Sequence, residues 1–337
     1  MKLDIVKYIC PDVGGWGWRN WMKKWGEKPY RSLDYELKRR YGGKLYKVAL
    51  DAGFTCPNRD GTIGYGGCSF CSGGSGEFAG DRRDSIETQI EKGIAGLTRF
   101  KASGYIAYYQ AYTNTYAPTA VLQEVYEPAF LHPQIDVVSI ATRPDCLDDD
   151  VIRLLASYQK RKPVWVELGL QTIHERTAEK IRRGYQLSCF TDAVSRLRQI
   201  GIEVIVHVIL GLPGESTEDM LETIQWLNRM DLQGIKLQLL HVIESTELAD
   251  WYQAGMFQVL TMEEYVKLIC LCIGHLSEHI VIHRLTGDGP SSRLIAPEWS
   301  TAKMQVLNAI HHELKVQGIS QGCLERDTYD FRTDNFV

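Results

Sequence analysis

Residues 45–74 have the sequence LYKVALDAGFTCPNRDGTIGYGGCSFCSGG, which joins an apolar segment to a glycine-rich segment that contains Cys56, Cys68 and Cys71. The apolar segment has the length and composition of a buried β-strand. The glycine-rich segment has neither helical nor strand periodicity, so we predict a loop at the end of this strand. Three thiols grouped in one loop indicate a site that binds a metal or a cluster.

Beyond this stretch, short apolar segments alternate with amphipathic ones, which predicts an α/β fold with six strand–helix units. The strands are rich in valine, isoleucine and leucine, as in parallel sheets that helices cover. Such units close into a barrel or form an open doubly wound sheet, and both bind ligands at the carboxyl ends of the strands. The cysteine loop, YTNTY, TRPD, GLQT and GLPGE all follow predicted strands. The six predicted strands are LYKVALDAG, YIAYYQAY, IDVVSIAT, VWVELGLQ, EVIVHVILGL and GIKLQLLHV.

Charge is distributed unevenly along the 337 residues, although the formal net charge is only −4. Residues 1–50 contain 12 Lys and Arg against 5 Asp and Glu, so this segment carries +7 and the remainder −11. The segment also contains Trp16, Trp18, Trp21 and Trp25. Basic residues beside aromatic ones suit RNA, since they neutralise phosphates and stack on bases. A helical arm whose tryptophans pack on the body fits the same pattern.

The cysteine content and the hydropathy predict a cytoplasmic protein that is not embedded in a membrane. The nine cysteines are odd in number and scattered, which favours reduced thiols or metal ligands over disulfides. No segment has the roughly 18 uninterrupted apolar residues of a membrane span, and the first residues do not resemble a signal peptide.

The spacing of the loop cysteines is C-x11-C-x2-C. A structural zinc site needs four ligands, and the first histidine in the chain is His132, so a local Cys3His site is excluded. Cys10 or a ligand distant in sequence could complete a zinc site. The alternative is an iron–sulfur cluster, in which three thiolates leave one iron open to a substrate or cofactor.

Several longer motifs make the chain similar to radical S-adenosylmethionine (SAM) enzymes of the YtqA/YhcC type, which are related to the radical SAM half of Elongator-like tRNA-modifying enzymes. The gap between the first two loop cysteines is longer than is usual for radical SAM enzymes. The matching motifs are YRSLDYELKRRYGGKLYKVALDAGFTCPNRDG, YYQAYTNTYAP, TRPDCL, VELGLQT, RRGY, HVILGLPGE, GIKLQLLHV and RLTGD.

This resemblance implies a partial (β/α)6 radical SAM barrel at residues 45–256. Residues 1–44 would form a basic, tryptophan-rich N-terminal extension, and residues 257–337 a C-terminal extension that closes the barrel. A [4Fe–4S] cluster would be held by Cys56, Cys68 and Cys71, with SAM chelating the fourth iron. Reductive cleavage of SAM would yield a 5′-deoxyadenosyl radical, with electrons from a donor of the flavodoxin or ferredoxin type.

The resemblance also implies a tRNA substrate, modified on the C5 side chain of a wobble uridine, for example from carboxymethylaminomethyl towards aminomethyl. The basic N-terminal segment would bind this tRNA. Two alternatives stay open. One is radical SAM chemistry on a small molecule or a peptide, and the other is a non-catalytic RNA-binding module stabilised by zinc. No catalytic side chain is predicted.

The first group of predicted cofactor contacts follows the first two strands. Phe70 is the aromatic residue before the last cysteine of the loop. Gln110, Thr113 and Asn114 are placed by the resemblance near the methionine part of SAM, although Thr113 or Asn114 could instead cap the next helix. Arg143 of TRPD is a candidate for a carboxylate or phosphate, or for a structural ion pair.

The second group of predicted contacts lies on the later strands. Gly211 and Gly214 of GLPGE would let the backbone approach adenosine, although a strand-to-helix turn has the same sequence pattern. Gln171 is a predicted SAM contact and shares a strand face with Glu167, which needs a partner if it points into the barrel. Lys236 is a candidate for the SAM carboxylate or for an anionic group of the substrate.

Overall fold

A computed structural model describes residues 24–73, 79–287 and 289–325 of the chain. Cys10, Gly74 and three of the four N-terminal tryptophans, Trp16, Trp18 and Trp21, lie outside the described residues. The same is true of Asp288, the last residue of the RLTGD motif.

Seven parallel strands form one curled sheet, in the order β1-β2-β3-β4-β5-β6-β8. A separate antiparallel pair, β7 with β9, follows the end of β6. The strands are β1 (Leu45–Leu50), β2 (Gly104–Tyr109), β3 (Ile135–Thr142), β4 (Val164–Gln171), β5 (Glu203–Leu210), β6 (Gly234–Leu239), β7 (Val242–Ile243), β8 (Val281–Arg284) and β9 (Leu294–Ala296).

Helices connect these strands and cover the outer face of the sheet. Each predicted strand–helix unit is present in the described residues. The helices are α1 (Leu33–Tyr41), α2 (Ile86–Gly96), α3 (Thr119–Leu131), α4 (Asp149–Gln159), α5 (Glu175–Lys180), α6 (Leu187–Gln199), α7 (Thr217–Leu227), α8 (Glu247–Gln253), α9 (Met262–His275) and α10 (Lys303–Gln317).

Local sequence explains where several helices begin. The side chain of Asp148 accepts a hydrogen bond from the backbone N–H of Val151 at the start of α4. Helix α7 begins with a capping box, in which Ser216 and Asp219 each bond to the other's backbone N–H. Such caps satisfy N–H groups that have no partner within the helix. The helices therefore start close to the strand ends, which keeps the connecting loops short.

The predicted α/β fold, a partial barrel of parallel strands, is confirmed, and the structure adds a seventh strand to the six predicted ones. Strand β8 belongs to the predicted C-terminal extension and pairs with β6. Its four residues are too few to show a period in the sequence, which is why it was missed. Cys270 and Cys272 on α9 are fully buried and belong to the core.

The start of the described chain packs on the C-terminal segment. Trp25 is buried, so for this tryptophan the packing interpretation holds. Gln321 connects the two segments, because its side chain accepts from the backbone of Arg31 and donates to Ile280. Among the described residues, no helix is both long and apolar enough to cross a lipid bilayer.

Candidate functional site

A cavity of about 460 Å³ opens at the carboxyl ends of the strands, on the inner side of the curled sheet. This is the position at which parallel α/β folds bind their ligands. Cys56, Cys68 and Cys71 all line it. Five of the eight predicted cofactor contacts line the same cavity, namely Phe70, Gln110, Thr113, Gln171 and Lys236. Asn114, Gly211 and Gly214 are not among its lining residues.

The cysteine loop places hydrogen-bond donors beside its sulfur atoms. The side-chain amide of Asn58 lies 3.5 Å from Cys68 Sγ and also donates to the carbonyl of Arg182. The guanidinium of Arg59 lies 3.6 Å from Cys71 Sγ. Burial, together with the nearby Cys71, raises the pKa of the Cys68 thiol to about 11. Burial therefore disfavours the thiolate form of Cys68, and a metal ion bound to the sulfur would act in the opposite direction.

The eleven residues between Cys56 and Cys68 fold back on themselves. Asp60 and Tyr65 form an antiparallel bridge, and the backbone N–H of Ile63 donates to the carbonyl of Pro57 at 2.8 Å. The chain thus leaves the cavity after Cys56 and returns to it at Cys68. This local hairpin explains how the unusually long gap is compatible with three cysteines at one cavity.

Gln171 is the residue whose geometry fits a bound polar ligand best. A β-bulge follows Gly169, and Gln171 has a φ of 69°, a left-handed conformation that is strained for a residue with a side chain. Its Oε1 is buried at the cavity, and none of the described residues donates a hydrogen bond to it. An added Cβ on Gly169 would lie 2.7 Å from Gln171 Nε2, so glycine leaves room for this side chain. A buried acceptor without a partner is costly unless a ligand donates to it.

Asn114 has a structural role in joining two strand ends. It is fully buried, and its side-chain amide donates to the carbonyls of Tyr109 and Ala141. The alternative that Thr113 or Asn114 caps the next helix is wrong, because Pro118 occupies the cap position of α3. Thr113 instead bonds through its backbone N–H to Thr55, next to the first cysteine.

Gly211 and Gly214 form the turn from β5 into α7. Their φ angles of 88° and 95° lie in the left-handed region, which glycine adopts without strain. Between them, Leu212 is buried in a small apolar cluster and does not itself line the cavity. The turn pattern seen in the sequence is therefore present, and the described backbone does not need a ligand to explain these glycines.

Deeper in the barrel, Glu167 is fully buried among four polar partners. Its carboxylate accepts hydrogen bonds from Lys47 at 2.9 Å, from Ser139 at 2.9 Å and from His207 at 2.7 Å, and it pairs with Lys236. Burial acts to raise the pKa of Glu167, but the two lysines and His207 outweigh it and hold that pKa well below its usual range. The prediction that Glu167 needs a partner is confirmed.

Arg143 lines the cavity but is engaged in structural contacts. It pairs with Asp145 at 2.7 Å and donates to the carbonyl of Arg183 at 2.9 Å. The ion-pair interpretation of Arg143 therefore holds.

Two residues at or next to the site, Lys47 and Arg183, were not predicted from the sequence. Lys47 is the single lysine in the apolar strand β1 and pairs with Glu167. A lysine within an apolar strand was the signal in the sequence that could have indicated a buried ion pair. Arg183 is fully buried and donates to the carbonyls of Leu170 and Thr172, which fixes the end of β4 beside the cavity. The RRGY motif contains this arginine, but its spacing gave no sign of that role.

Comparison with known proteins agrees with this geometry. The family model of the Radical SAM superfamily matches residues 56–227. A second model, of the Radical_SAM C-terminal domain, matches residues 232–316. The chain is 46% identical to protein YtqA of Bacillus subtilis, over 88% of this chain and 92% of that protein. It is 36% identical to protein YhcC of Escherichia coli, over 86% of this chain and 94% of that protein.

More distant similarity extends to proteins named for tRNA. The chain is 25% identical to a tRNA uridine(34) acetyltransferase of Methanocaldococcus jannaschii, over 55% of this chain and 34% of that protein. The solved structure of Elp3 from Methanocaldococcus infernus has a TM-score of 0.64 at 17% identity, covering 82% of this chain and 64% of the other, and so shares the fold. The chain belongs to the radical SAM superfamily, whose members bind a [4Fe–4S] cluster and S-adenosylmethionine.

Proposed function

We propose that Cys56, Cys68 and Cys71 hold the [4Fe–4S] cluster of a radical SAM enzyme. The observation that carries this proposal is their position. All three line one cavity at the carboxyl ends of the strands, in a chain of this superfamily. The amide of Asn58 and the guanidinium of Arg59 support it, because donors near the sulfurs stabilise thiolate ligands.

SAM would occupy the part of the cavity beside the cysteine loop. Gln171 Oε1 is available to accept a hydrogen bond there, for example from a ribose hydroxyl. Gln110, Thr113 and Phe70 line the same region and are proposed contacts for the rest of the molecule. Asn114, Gly211 and Gly214 would act indirectly, by fixing the strand ends and the turn that surround the cavity. Lys236, which also lines the cavity, is a proposed contact for a carboxylate.

Cys56, Cys68 and Cys71 would hold a cluster that supplies one electron to SAM, giving methionine and a 5′-deoxyadenosyl radical able to remove a hydrogen atom from the substrate. The chain's own residues orient the reactants and exclude water. Apolar side chains from Phe70, Ile209, Leu240 and Ile243 line the cavity, and Pro290 lies at it in the segment before β9. These groups would limit access of water to a reactive radical.

We further propose that the substrate is tRNA, with the reaction at the C5 side chain of a wobble uridine. The support is the distant similarity to proteins named tRNA uridine(34) acetyltransferase and the basic N-terminal segment. Within the described part of that segment, Arg31, Arg39 and Arg40 all pair with Glu36. Docking of RNA would therefore depend mainly on residues before Lys24, such as Arg19 and Lys23.

A direct test incubates the reduced, cluster-loaded enzyme with SAM and tRNA that carries 5-carboxymethylaminomethyluridine. Mass spectrometry of the digested tRNA should show 5-aminomethyluridine with the wild-type protein and not with Cys68→Ala. In parallel, the double variant Arg19→Gln and Lys23→Gln should bind tRNA more weakly than the wild-type protein in a gel shift. The difference in affinity between the two proteins should decrease as the salt concentration is raised. Formation of 5′-deoxyadenosine while every tRNA nucleoside stays unchanged would contradict the tRNA substrate and favour a small molecule or a peptide.

A further inference from the structure

Two consecutive residues of the cysteine loop, Asn58 and Arg59, each reach the sulfur atom of a cysteine further along the chain. The side-chain amide of Asn58 lies 3.5 Å from Cys68 Sγ, and Nη1 of Arg59 lies 3.6 Å from Cys71 Sγ. Both side chains carry N–H donors, and a thiolate sulfur is an acceptor. Two of the three proposed cluster ligands therefore each have a side-chain donor beside the sulfur.

Further contacts hold the amide of Asn58 against Cys68. Asn58 is 5% exposed, and its side-chain nitrogen also donates to the carbonyl of Arg182 at 2.6 Å. The backbone carbonyl of Asn58 accepts from the N–H of Gly67 at 2.8 Å, directly before Cys68. A buried amide cannot turn away from such partners without leaving polar groups unsatisfied. The orientation of Asn58 towards the sulfur is therefore fixed by the fold of the loop.

The guanidinium of Arg59 is held in a similar way. Its Nη1 donates to the carbonyl of Gly66 at 2.7 Å and to that of Cys71 at 3.3 Å. The guanidinium also lies 5.8 Å from the centre of the Tyr112 ring, within the range of a cation–π contact. An added Cβ on Gly67 would lie 3.0 Å from Nη1, so glycine leaves room for the arginine. The positive charge is thus kept beside Cys71.

Donors at these positions act differently on the two redox states of an iron–sulfur cluster. One-electron reduction increases the negative charge on the thiolate ligands, so an N–H donor is bound more strongly in the reduced state. Hydrogen bonds to the sulfurs and nearby charge are among the factors that set the reduction potential of such clusters. A guanidinium adds a permanent positive charge to its hydrogen bond, so Arg59 should have a larger effect than the neutral Asn58.

We propose that Asn58 and Arg59 raise the reduction potential of the cluster. They act through the sulfur atoms of Cys68 and Cys71, and the cluster is easier to reduce than it would be without them. This inference rests on the proposed function for the presence of the cluster, and it deepens that function by naming the residues that control its reduction.

The test measures the midpoint potential of the reconstituted cluster without SAM, by redox titration followed with electron paramagnetic resonance. Iron content is measured in every sample, so that proteins with equal loading are compared. For Arg59→Gln we expect the ratio of reduced to oxidised cluster at a fixed potential to fall about tenfold, as for loss of one hydrogen bond to a charged group. A tenfold change corresponds to about 59 mV for a one-electron couple.

Two further variants separate the hydrogen bond from the charge. Asn58→Leu removes a donor without a change of charge and should lower the same ratio by a smaller factor. Arg59→Lys keeps the charge but lacks the planar fork of donors, so its potential should lie between those of the wild-type protein and Arg59→Gln. The control Arg153→Gln, an exposed arginine on α4 that pairs with Asp150, should have the potential of the wild-type protein.

A measurement on the wild-type sequence needs no variant to fold. Protein grown with 15N-labelled arginine, with its cluster reduced, should show a 15N coupling in pulsed electron paramagnetic resonance. The same label in Arg59→Lys should give a weaker coupling or none, which assigns the signal to this arginine.

Two results would overturn the proposal. One is an unchanged midpoint potential in both Arg59→Gln and Asn58→Leu at full iron content. The other is the absence of a 15N coupling in the labelled wild-type protein, and this result decides alone if both variants lose the cluster. Both measurements require a reducible cluster but neither SAM cleavage nor tRNA. A failure here is therefore distinct from a failure of the proposed function, in which no cluster assembles or no 5′-deoxyadenosine forms.

Discussion

At the scale of single residues, Glu167 organises the interior of the barrel. Its position on the same strand face as Gln171 could be predicted, because residues two and four apart on a strand share a side. The sequence could not show which lysines would reach it, since Lys47 and Lys236 are distant in the chain. The bulge that gives Gln171 its strained backbone was also not predictable, because it depends on pairing between β4 and β5.

Replacement of Glu167 by glutamine should destabilise the protein strongly. The change leaves Lys47 and Lys236 without their shared carboxylate in the interior, and breaking a buried ion pair typically costs about 3 kcal/mol or more in free energy of unfolding. Urea denaturation measures the effect. The control Glu263→Gln, an exposed residue paired with Lys267 on α9, should leave the free energy of unfolding almost unchanged, because solvent screens such a pair. A Glu167→Gln protein as stable as wild type would contradict the pairing.

Replacement of Gln171 by alanine should weaken binding of SAM by about tenfold, because the variant lacks the buried acceptor that a ribose hydroxyl would satisfy. Equilibrium dialysis with labelled SAM on the cluster-loaded protein measures this affinity. Gln123→Ala, at an exposed position on α3, is the matched control and should bind like wild type. Unchanged affinity in Gln171→Ala would remove this residue from the proposed SAM site.

At the scale of elements, helix α1 shows how the basic N-terminal segment is joined to the sheet. Glu36 is buried and pairs with Arg31, Arg39 and Arg40, and Arg40 also pairs with Glu203 on β5. The helix itself could be predicted from its motif, but the sequence suggested free basic charge here. Within the described residues, much of that charge is neutralised in the fold.

Replacement of Glu36 by glutamine should lower the free energy of unfolding by about 2 kcal/mol at neutral pH. This effect is smaller than that of breaking a fully buried ion pair, because the arginines that pair with Glu36 are partly exposed. Burial acts to raise the pKa of Glu36, but hydrogen bonds from Arg39 and Arg40 and the charge of Arg31 lower it to about 2. Because the pKa of Glu36 is lower in the folded state than in the unfolded state, its carboxylate stabilises the folded protein at pH values above about 4.5. This contribution disappears as the pH falls towards 2. Urea denaturation of both proteins at several pH values measures it.

The two proteins should therefore converge in stability between about pH 4.5 and 2. Asp34→Asn, which removes an exposed i,i+4 pair with Lys38, is the control and should have an effect of about 0.5 kcal/mol or less at all pH values. A difference between wild type and Glu36→Gln that persists undiminished at pH 2 would contradict the charge-based account.

At the scale of the whole molecule, the barrel and the segment after residue 256 share one core. Strand β8 extends the sheet beside β6, and α9 buries ten residues. The motifs and the strand–helix pattern could predict a barrel with its site at the strand ends. They could not predict that a four-residue strand from beyond the six units completes the cavity wall, because such pairing is set by tertiary contacts.

A fragment that ends at residue 256 should therefore not fold cooperatively. It lacks β8, α9 and α10, and so exposes the apolar face that these elements cover. Circular dichroism and urea denaturation of the fragment, compared with the full chain, measure this. A sharp unfolding transition in the fragment would instead show that residues up to 256 form an independent domain.

The central claim is that three cysteines at one cavity hold a cluster that cleaves SAM. The most direct measurement is the amount of 5′-deoxyadenosine formed by anaerobically reconstituted, dithionite-reduced protein, together with its iron and sulfide content. We predict about four irons per chain and continuous formation of 5′-deoxyadenosine by the wild-type protein. The control Cys189→Ala alters a half-buried cysteine outside the cavity lining and should give the same result. Cys68→Ala should form no product. A fully loaded wild-type protein that forms none, with or without tRNA, would contradict the claim.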